Sequence, residues 1–132
     1  EARIVAVHDG ARPCVTPSLI SETVRCAKRY GSGVAATKIT DTIKLVEKGH
    51  VITRTIDRSK LWAVQTPQTF KKEVLEAAFA AIDSKGTEVT DEAVAVEELG
   101  VEVRLVPSTV PNVKITAPED LVVAAALLDS PR

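Results

Sequence analysis

The sequence predicts an α/β domain that carries a separate β-hairpin. Strand-like and helix-like segments alternate along the chain, which is typical of α/β proteins. Residues that favour helix starts and helix ends bracket the helical segments, and two β-prone runs flank a turn at residues 47–50. The 132 residues are 45% hydrophobic and 27% charged, which suits one globular domain with a real core.

Charge and cysteine content exclude several classes of protein. Lys and Arg total 17 against 18 acidic residues, so no global positive field exists to hold nucleic acid or an anionic membrane. Cys14 and Cys26 match no metal-binding spacing and make no disulfide framework, which favours two free thiols. No apolar run reaches membrane-spanning length. We therefore expect a cytoplasmic protein without nucleic-acid or membrane partners.

The first third of the chain predicts two strands around a helix. Residues 3–8 are typical of a buried strand, and residues 33–37 of a second core strand. Thr16 is a predicted N-cap with Pro17 at the first helical position, and Gly31 ends the helix. The apolar stripe of this helix is Leu19, Ile20, Val24 and Ala27.

Residues 42–46 and 51–56 are the β-prone runs of the predicted hairpin. Both mix apolar with polar side chains, so neither fits a buried central strand. An isolated two-stranded hairpin is marginal in water, so this one needs a surface to lie on.

Three further helices are predicted downstream. The first is predicted from apolar residues that recur at helical spacing, namely Phe70, Val74, Ala77, Ala78 and Ala81. Residues 90–92 cap the second, which ends at Gly100, and residues 116–119 form a capping box for the last. Residues 101–106 predict a strand and residues 113–115 a shorter one.

Asp9 and Lys114 are the residues best placed for chemistry. Asp9 follows an apolar strand beside Gly10, where it can hold Mg²⁺, bind a substrate hydroxyl or simply fix its own turn. Lys114 precedes a capped helix and can offer its charge to a phosphate or remain solvated. Arg58 follows Asp57 and can simply be its ion-pair partner, and Arg12 beside Pro13 can equally be a surface turn residue.

No rival chemistry is evident in the sequence. It contains no GxSxG elbow, Walker loop, HExxH or dinucleotide-binding GxGxxG motif. His8 and His50 are far apart, and each is more typical of a strand end or a turn than of a general base.

Four segments of the chain are informative as an ordered set. They are His8-Asp9-Gly10-Ala11-Arg12-Pro13, residues 55–68 with Asp57-Arg58, Trp62 and Gln65-Thr66-Pro67-Gln68, Thr90-Asp91-Glu92-Ala93, and residues 112–121 with Asn112-Val113-Lys114-Ile115-Thr116. In this order and spacing they resemble the 2-C-methyl-D-erythritol 4-phosphate cytidylyltransferase family along the whole chain. Gly10 is a small departure, because the family more often has Ala there.

The resemblance implies a Rossmann-like nucleotidyltransferase fold, similar to glycosyltransferase A, with a mixed sheet and a hairpin dimerisation arm at residues 41–57. It implies transfer of CMP from CTP to methylerythritol phosphate, with Mg²⁺ held mainly by the CTP phosphates and no protein metal ligands in this segment. Arg58 and Lys114 are the implied catalytic residues. The implied substrate-binding residues are Asp9, Arg12, Thr42, Thr66 and Thr90, and the implied nucleotide-binding residues are Asp9, Gly10 and Lys114.

The family's Gly-rich CTP loop has no match in the sequence. We therefore expect residues 1–132 to be the C-terminal part of a single cytidylyltransferase domain, with an N-terminal segment of the same enzyme as a partner. Two alternatives stay open at this stage: a ribitol 5-phosphate cytidylyltransferase, and a non-catalytic dimerisation or binding fragment.

Overall fold

The computed structural model describes residues 1–86, 88 and 90–131, and most of these lie in strands and helices. In chain order the elements are β1 (Ile4–Val7), α1 (Pro17–Tyr30), β2 (Ser32–Lys38), β3 (Ile43–Leu45), β4 (Arg54–Ile56), a 3-10 turn (Arg58–Lys60), β5 (Trp62–Lys71), α2 (Lys72–Lys85), α3 (Glu92–Glu98), β6 (Leu105–Pro107) and α4 (Pro118–Asp129).

The main sheet has four strands in the order β1–β5–β2–β6. The long strand β5 runs antiparallel to both of its neighbours, β1 and β2, whereas β2 and β6 are parallel. The sheet is therefore mixed and has flanking helices, which confirms the predicted fold class.

The core lies on both faces of this sheet. On one face Val34 and Phe70 pack with Leu75 and Ala78 of α2 and with Val96 of α3. On the other face Leu19 of α1 packs with Ala35 and Val106. Burial of this apolar surface is the main term that holds the helices to the sheet.

β1 differs from its prediction as a buried strand. It lies at the edge of the sheet, its Ile4, Val5 and Val7 side chains are only partly buried, and Ala6 is exposed. An edge strand has one hydrogen-bonded neighbour, so an apolar sequence alone does not ensure complete burial.

α1 begins and ends where the sequence predicted. The Thr16 hydroxyl accepts a hydrogen bond from the Leu19 N–H, and Gly31 ends the helix in the left-handed region with φ 95°. Its buried face differs from the predicted stripe: Ile20 is exposed, Val24 is only partly buried, and Thr23 is buried. The Thr23 hydroxyl is satisfied there by the Ile20 carbonyl and the Thr69 hydroxyl.

The apolar repeat that begins at Phe70 was assigned wrongly at its start. Phe70 is a fully buried residue of β5, and α2 begins only at Lys72. A single apolar residue satisfies a strand period and a helix period equally, so periodicity cannot place this boundary.

The C-terminal elements also differ in detail. Only the end of the predicted strand at 101–106 is a strand, in β6 (Leu105–Pro107). Residues 113–115 are not a strand. The N-cap of α4 is Ala117, and the carboxylate that accepts from the Thr116 and Ala117 N–H groups belongs to Asp120 rather than Glu119. The N-cap of α3 is Asp91, one of the three residues predicted to cap this helix.

β3 and β4 pair with each other in a separate two-stranded antiparallel sheet, in which Ile43 lies opposite Ile56. Around its turn Val46, Val51 and Ile52 are exposed. Among the described residues, no helix is both long and apolar enough to cross a membrane.

Candidate functional site

A cavity of about 350 Å³ opens beyond the carboxyl end of β1. This is where ligands bind in open α/β sheets. Its walls come from the end of β1, the middle of β5, the start of α3 and the segment before α4. The lining residues are Val7, His8, Asp9, Arg12, Val64, Gln65, Thr66, Gln68, Thr90, Asp91, Glu92 and Lys114.

An irregularity in β5 shapes the floor of this cavity. Val34 pairs with Gln68, but Ala36 pairs with Val64, so residues 65–67 of β5 lie opposite Ala35 alone. Extra residues of this kind bend a strand and re-aim its side chains. Here the polar side chains of Gln65 and Thr66 line the cavity although the strand that carries them is central in the sheet.

Asp9 and Lys114 form an ion pair at the mouth of the cavity. Lys114 Nζ lies 3.2 Å from Asp9 Oδ2. Asp9 Oδ1 accepts a hydrogen bond of 2.9 Å from the Ala11 N–H. The Ala11 N–H and then the Lys114 ammonium hold the pKa of Asp9 below its usual value. Lys114 keeps half of its side-chain surface exposed, so two of its three donors can reach a ligand.

Arg12 approaches the cavity from the turn after β1. Its Nη1 donates a 2.7 Å hydrogen bond to the Asn112 carbonyl, which ties this turn to the segment that carries Lys114. Burial lowers the pKa of Arg12, and the charge of Asp9 opposes that effect. The buried Arg12 Nε has no hydrogen-bond partner among the described residues.

Gln68 fixes the position of the loop that carries Thr90. The Gln68 side chain is buried, and its amide donates to Asp91 Oδ2 at 3.0 Å and to the Gln65 carbonyl at 3.1 Å. Its carbonyl oxygen accepts from the Ala93 N–H at 2.9 Å. Since Asp91 also caps α3 through the Val94 N–H, strand β5 and the start of α3 are held as one unit.

The cavity brings together Asp9, Arg12, Thr66, Thr90 and Lys114 of the residues predicted from the sequence. Gly10 follows Asp9, and a Cβ at Gly10 would meet nothing within 4 Å, so the alanine more usual in the family fits equally well. Thr42 and Arg58 lie outside the cavity wall. Thr42 is exposed before β3, and Arg58 Nη1 donates to the Thr40 carbonyl.

Several lining residues belong to the four segments of the family resemblance, but the sequence predicted no part for them in binding or catalysis. These are His8, Gln65, Gln68, Asp91 and Glu92. Asn112 is another: it is 2% exposed, and its amide donates to the Thr66 carbonyl at 2.7 Å. His8, Gln68 and Asn112 each have hydrogen-bond partners 23 to 100 residues away along the chain, so no local pattern in one sequence could have identified these contacts.

No group of three or more His, Cys, Asp or Glu side chains suited to a metal ion occurs within residues 1–86, 88 and 90–131. The Asp9 carboxylate, the best single candidate, already binds the Ala11 N–H and the Lys114 ammonium.

The family model of 2-C-methyl-D-erythritol 4-phosphate cytidylyltransferase (IspD) matches residues 1–130. The chain belongs to this family. The cytidylyltransferase of Caldanaerobacter subterraneus subsp. tengcongensis is 44% identical over 97% of the chain, and that of Bacillus pumilus is 44% identical over all of it. The solved cytidylyltransferase of Thermus thermophilus is 38% identical, with a TM-score of 0.88 over 96% of the chain.

The chain spans little more than half the length of these cytidylyltransferases. It covers 56% of the Caldanaerobacter sequence, 58% of the Bacillus sequence and 62% of the Thermus structure.

Proposed function

We propose that the protein carrying this chain transfers CMP from CTP to 2-C-methyl-D-erythritol 4-phosphate. An oxygen of the methylerythritol phosphate attacks the α-phosphorus of CTP, the bond to the β-phosphate bridging oxygen breaks, and pyrophosphate leaves. The product is 4-diphosphocytidyl-2-C-methyl-D-erythritol. The relatives are 2-C-methyl-D-erythritol 4-phosphate cytidylyltransferases by name, which supports this reaction over the transfer of CMP to ribitol 5-phosphate.

The observation that carries the proposal is the composition of the cavity. It combines the cations of Arg12 and Lys114 with the hydroxyls of Thr66 and Thr90, as a phosphorylated polyol requires. Two polyanions must meet in the reaction, so charge neutralisation and positioning supply most of the rate.

Lys114 and Arg58 would hold the methylerythritol phosphate for in-line attack. Asp9, Arg12, Thr66 and Thr90 would bind the rest of this substrate, with Thr42 contributed by the hairpin. Asp9, Gly10 and Lys114 would border the nucleotide.

Mg²⁺ would bind mainly through the CTP phosphates and would neutralise charge on them during transfer. The donor set agrees with that assignment, because the cavity's best carboxylate is already paired with a lysine.

The hairpin of β3 and β4 would act as a dimerisation arm. Arg58 follows β4 directly, and neither Arg58 nor Thr42 reaches the cavity of its own chain. An arm that packs on a two-fold-related partner would carry both residues to the partner's cavity and would cover Val46, Val51 and Ile52.

Pyrophosphate release tests the proposed reaction. We expect the complete natural protein that contains this chain to release pyrophosphate from CTP and Mg²⁺ with methylerythritol phosphate, and much more slowly with ribitol 5-phosphate. A reversed preference, or no release with either polyol, would contradict the proposal. The same assay on the 132-residue chain alone separates a catalytic chain from a binding fragment.

A further inference from the structure

Hydrogen bonds link the backbone of Asp9 to the backbone of Arg12 by way of two side chains. The Asp9 N–H donates to Thr66 Oγ1 at 3.0 Å. Thr66 Oγ1 lies 3.0 Å from His8 Nδ1, and His8 Nε2 lies 3.0 Å from the Arg12 carbonyl oxygen. The relay therefore begins at an obligatory donor and ends at an obligatory acceptor.

The two backbone groups fix the direction of each hydrogen bond between them. The Arg12 carbonyl can only accept, so His8 Nε2 must carry a proton and donate it. In a neutral imidazole the other nitrogen is then an acceptor, so His8 Nδ1 has no proton. The hydrogen bond between His8 and Thr66 consequently uses the single hydroxyl proton of Thr66.

Thr66 is left with acceptor capacity only. One lone pair of Oγ1 receives the Asp9 N–H, the hydroxyl proton goes to His8, and one lone pair remains for the cavity that Thr66 lines. A phosphate oxygen is itself an acceptor and gains nothing from such a group. A substrate hydroxyl can donate a hydrogen bond to this lone pair, so it does gain an interaction with Thr66.

We propose that His8 is a positioning residue that holds the Thr66 hydroxyl as a pure acceptor, so that Thr66 binds a hydroxyl of the polyol and not its phosphate. This inference rests on the proposed function for the identity of the ligand. Within the cavity, Arg12 and Lys114 then provide hydrogen-bond donors for the phosphate, and Thr66 provides an acceptor for a polyol hydroxyl.

The surrounding turn keeps the relay in place. The Arg12 N–H donates to the Asp9 carbonyl at 3.0 Å, which closes the turn between the two ends of the relay. The Thr66 carbonyl accepts from the buried Asn112 amide at 2.7 Å, so the backbone of Thr66 is fixed independently of His8. A change at His8 should therefore alter the hydroxyl of Thr66 more than its location.

Nitrogen-15 NMR of the imidazole rings tests the relay without any assay of activity. The chain has 2 histidines, so a His50→Gln variant assigns both. At a pH where imidazole is neutral, we expect His8 in the 132-residue chain to show a protonated Nε2 and a bare Nδ1. A protonated Nδ1, or rapid averaging of the two tautomers, would overturn the inference whatever the enzyme does.

A pair of His8 variants in the complete natural protein tests the consequence for the ligand. His8→Asn places an amide oxygen near the position of Nδ1, where it can still accept from Thr66. His8→Gln can donate to the Arg12 carbonyl but offers Thr66 no acceptor. We expect KM for methylerythritol phosphate to rise about tenfold in His8→Gln and less than about threefold in His8→Asn, with kcat and KM for CTP changed far less.

Equal KM values in the two variants would overturn the role of His8, because a merely structural histidine has no reason to favour the acceptor position. Absence of pyrophosphate release from the unaltered protein would instead count against the proposed function, and the NMR result would still decide the relay.

Discussion

Lys114 is the residue whose placement has the clearest consequence for rate. It is half exposed, lies 3.2 Å from Asp9 and lines the cavity, so under the proposed function it would contact both this carboxylate and the substrate phosphate. Its three N–H donors allow both contacts at once. This geometry predicts that Lys114 acts on the substrate and not only on Asp9.

We expect Lys114→Ala in the complete natural protein to lower kcat/KM by an amount equivalent to about 2–4 kcal/mol of transition-state stabilisation, because a charge-assisted contact to a phosphoryl group is lost. Steady-state kinetics of pyrophosphate release measure the effect. The matched control is Lys85→Ala at the exposed end of α2, which removes the same charge at a residue that does not line the cavity. If the two variants had the same kinetics, Lys114 would be a solvated bystander.

At the scale of elements, the sequence predicted the fold class, the bounds of α1 and the cap of α3. It failed where tertiary contacts decide the outcome. Phe70 fits a helical repeat, yet it is a residue of β5 that pairs with Val5 of β1 and Ser32 of β2. The extra residues at 65–67 arise from the register of β5 against β2, which no local pattern in the sequence specifies. Asp9 and Lys114 were singled out by their positions after a strand and before a helix, and the other candidate residues of the cavity came from a family resemblance. The polar residues that hold them in place depend on distant partners.

The contact between α1 and β2 depends on Gly33. A Cβ at this position would overlap the Thr23 carbonyl oxygen and come within 2.9 Å of Cys26 Cβ. We expect Gly33→Ala to lower the free energy of unfolding by about 1–3 kcal/mol, since the helix must move away from the strand. Chemical denaturation measures the change.

Gly10→Ala is the matched control for Gly33→Ala, because a Cβ at Gly10 meets nothing within 4 Å. We expect its free energy of unfolding to stay within about 0.5 kcal/mol of the parent. Similar losses in both variants would mean that helix–strand contact is not what Gly33 provides.

Asp120 holds the start of α4 in a pH-dependent way. Its carboxylate accepts from the Thr116 and Ala117 N–H groups and from the Thr116 hydroxyl, and these bonds hold the pKa of Asp120 below its usual value. A carboxyl whose pKa is lowered by folding stabilises the native state above its unfolded pKa. That stabilisation is lost as the pH falls through the lowered native value.

We therefore expect Asp120→Ala to lower Tm at neutral pH, and the difference from the parent to shrink as the pH falls below the usual Asp range. Thermal melts followed by circular dichroism across that range measure it. Glu119→Ala is the control, since Glu119 lies in the same turn. A larger loss of Tm for Glu119→Ala would favour the capping box predicted from the sequence.

For the whole molecule, the main question is whether each cavity depends on two chains. Mixing two inactive variants of the complete natural protein, Arg58→Ala and Lys114→Ala, answers it. If the arm is exchanged, each heterodimer has one cavity with an intact Arg58 and an intact Lys114 and one with neither. We expect activity to return in proportion to heterodimer formation, measured as pyrophosphate release.

The control takes each variant alone through the same mixing procedure, because its subunits then exchange without creating an intact cavity. Verified heterodimers that stay inactive would mean that Arg58 serves its own chain.

The antiparallel pairing of β5 with both β1 and β2 also affects how amide protons exchange with solvent. Residues 68–70 of β5 are paired on both sides, with β1 and with β2, whereas β3 and β4 are paired only with each other. Local opening of the hairpin therefore requires no loss of core packing, so its amides should exchange with deuterium long before those of β5. Association of two arms would slow deuterium exchange at the hairpin amides alone. Slower exchange there, with unchanged slow exchange in β5, would therefore indicate dimerisation.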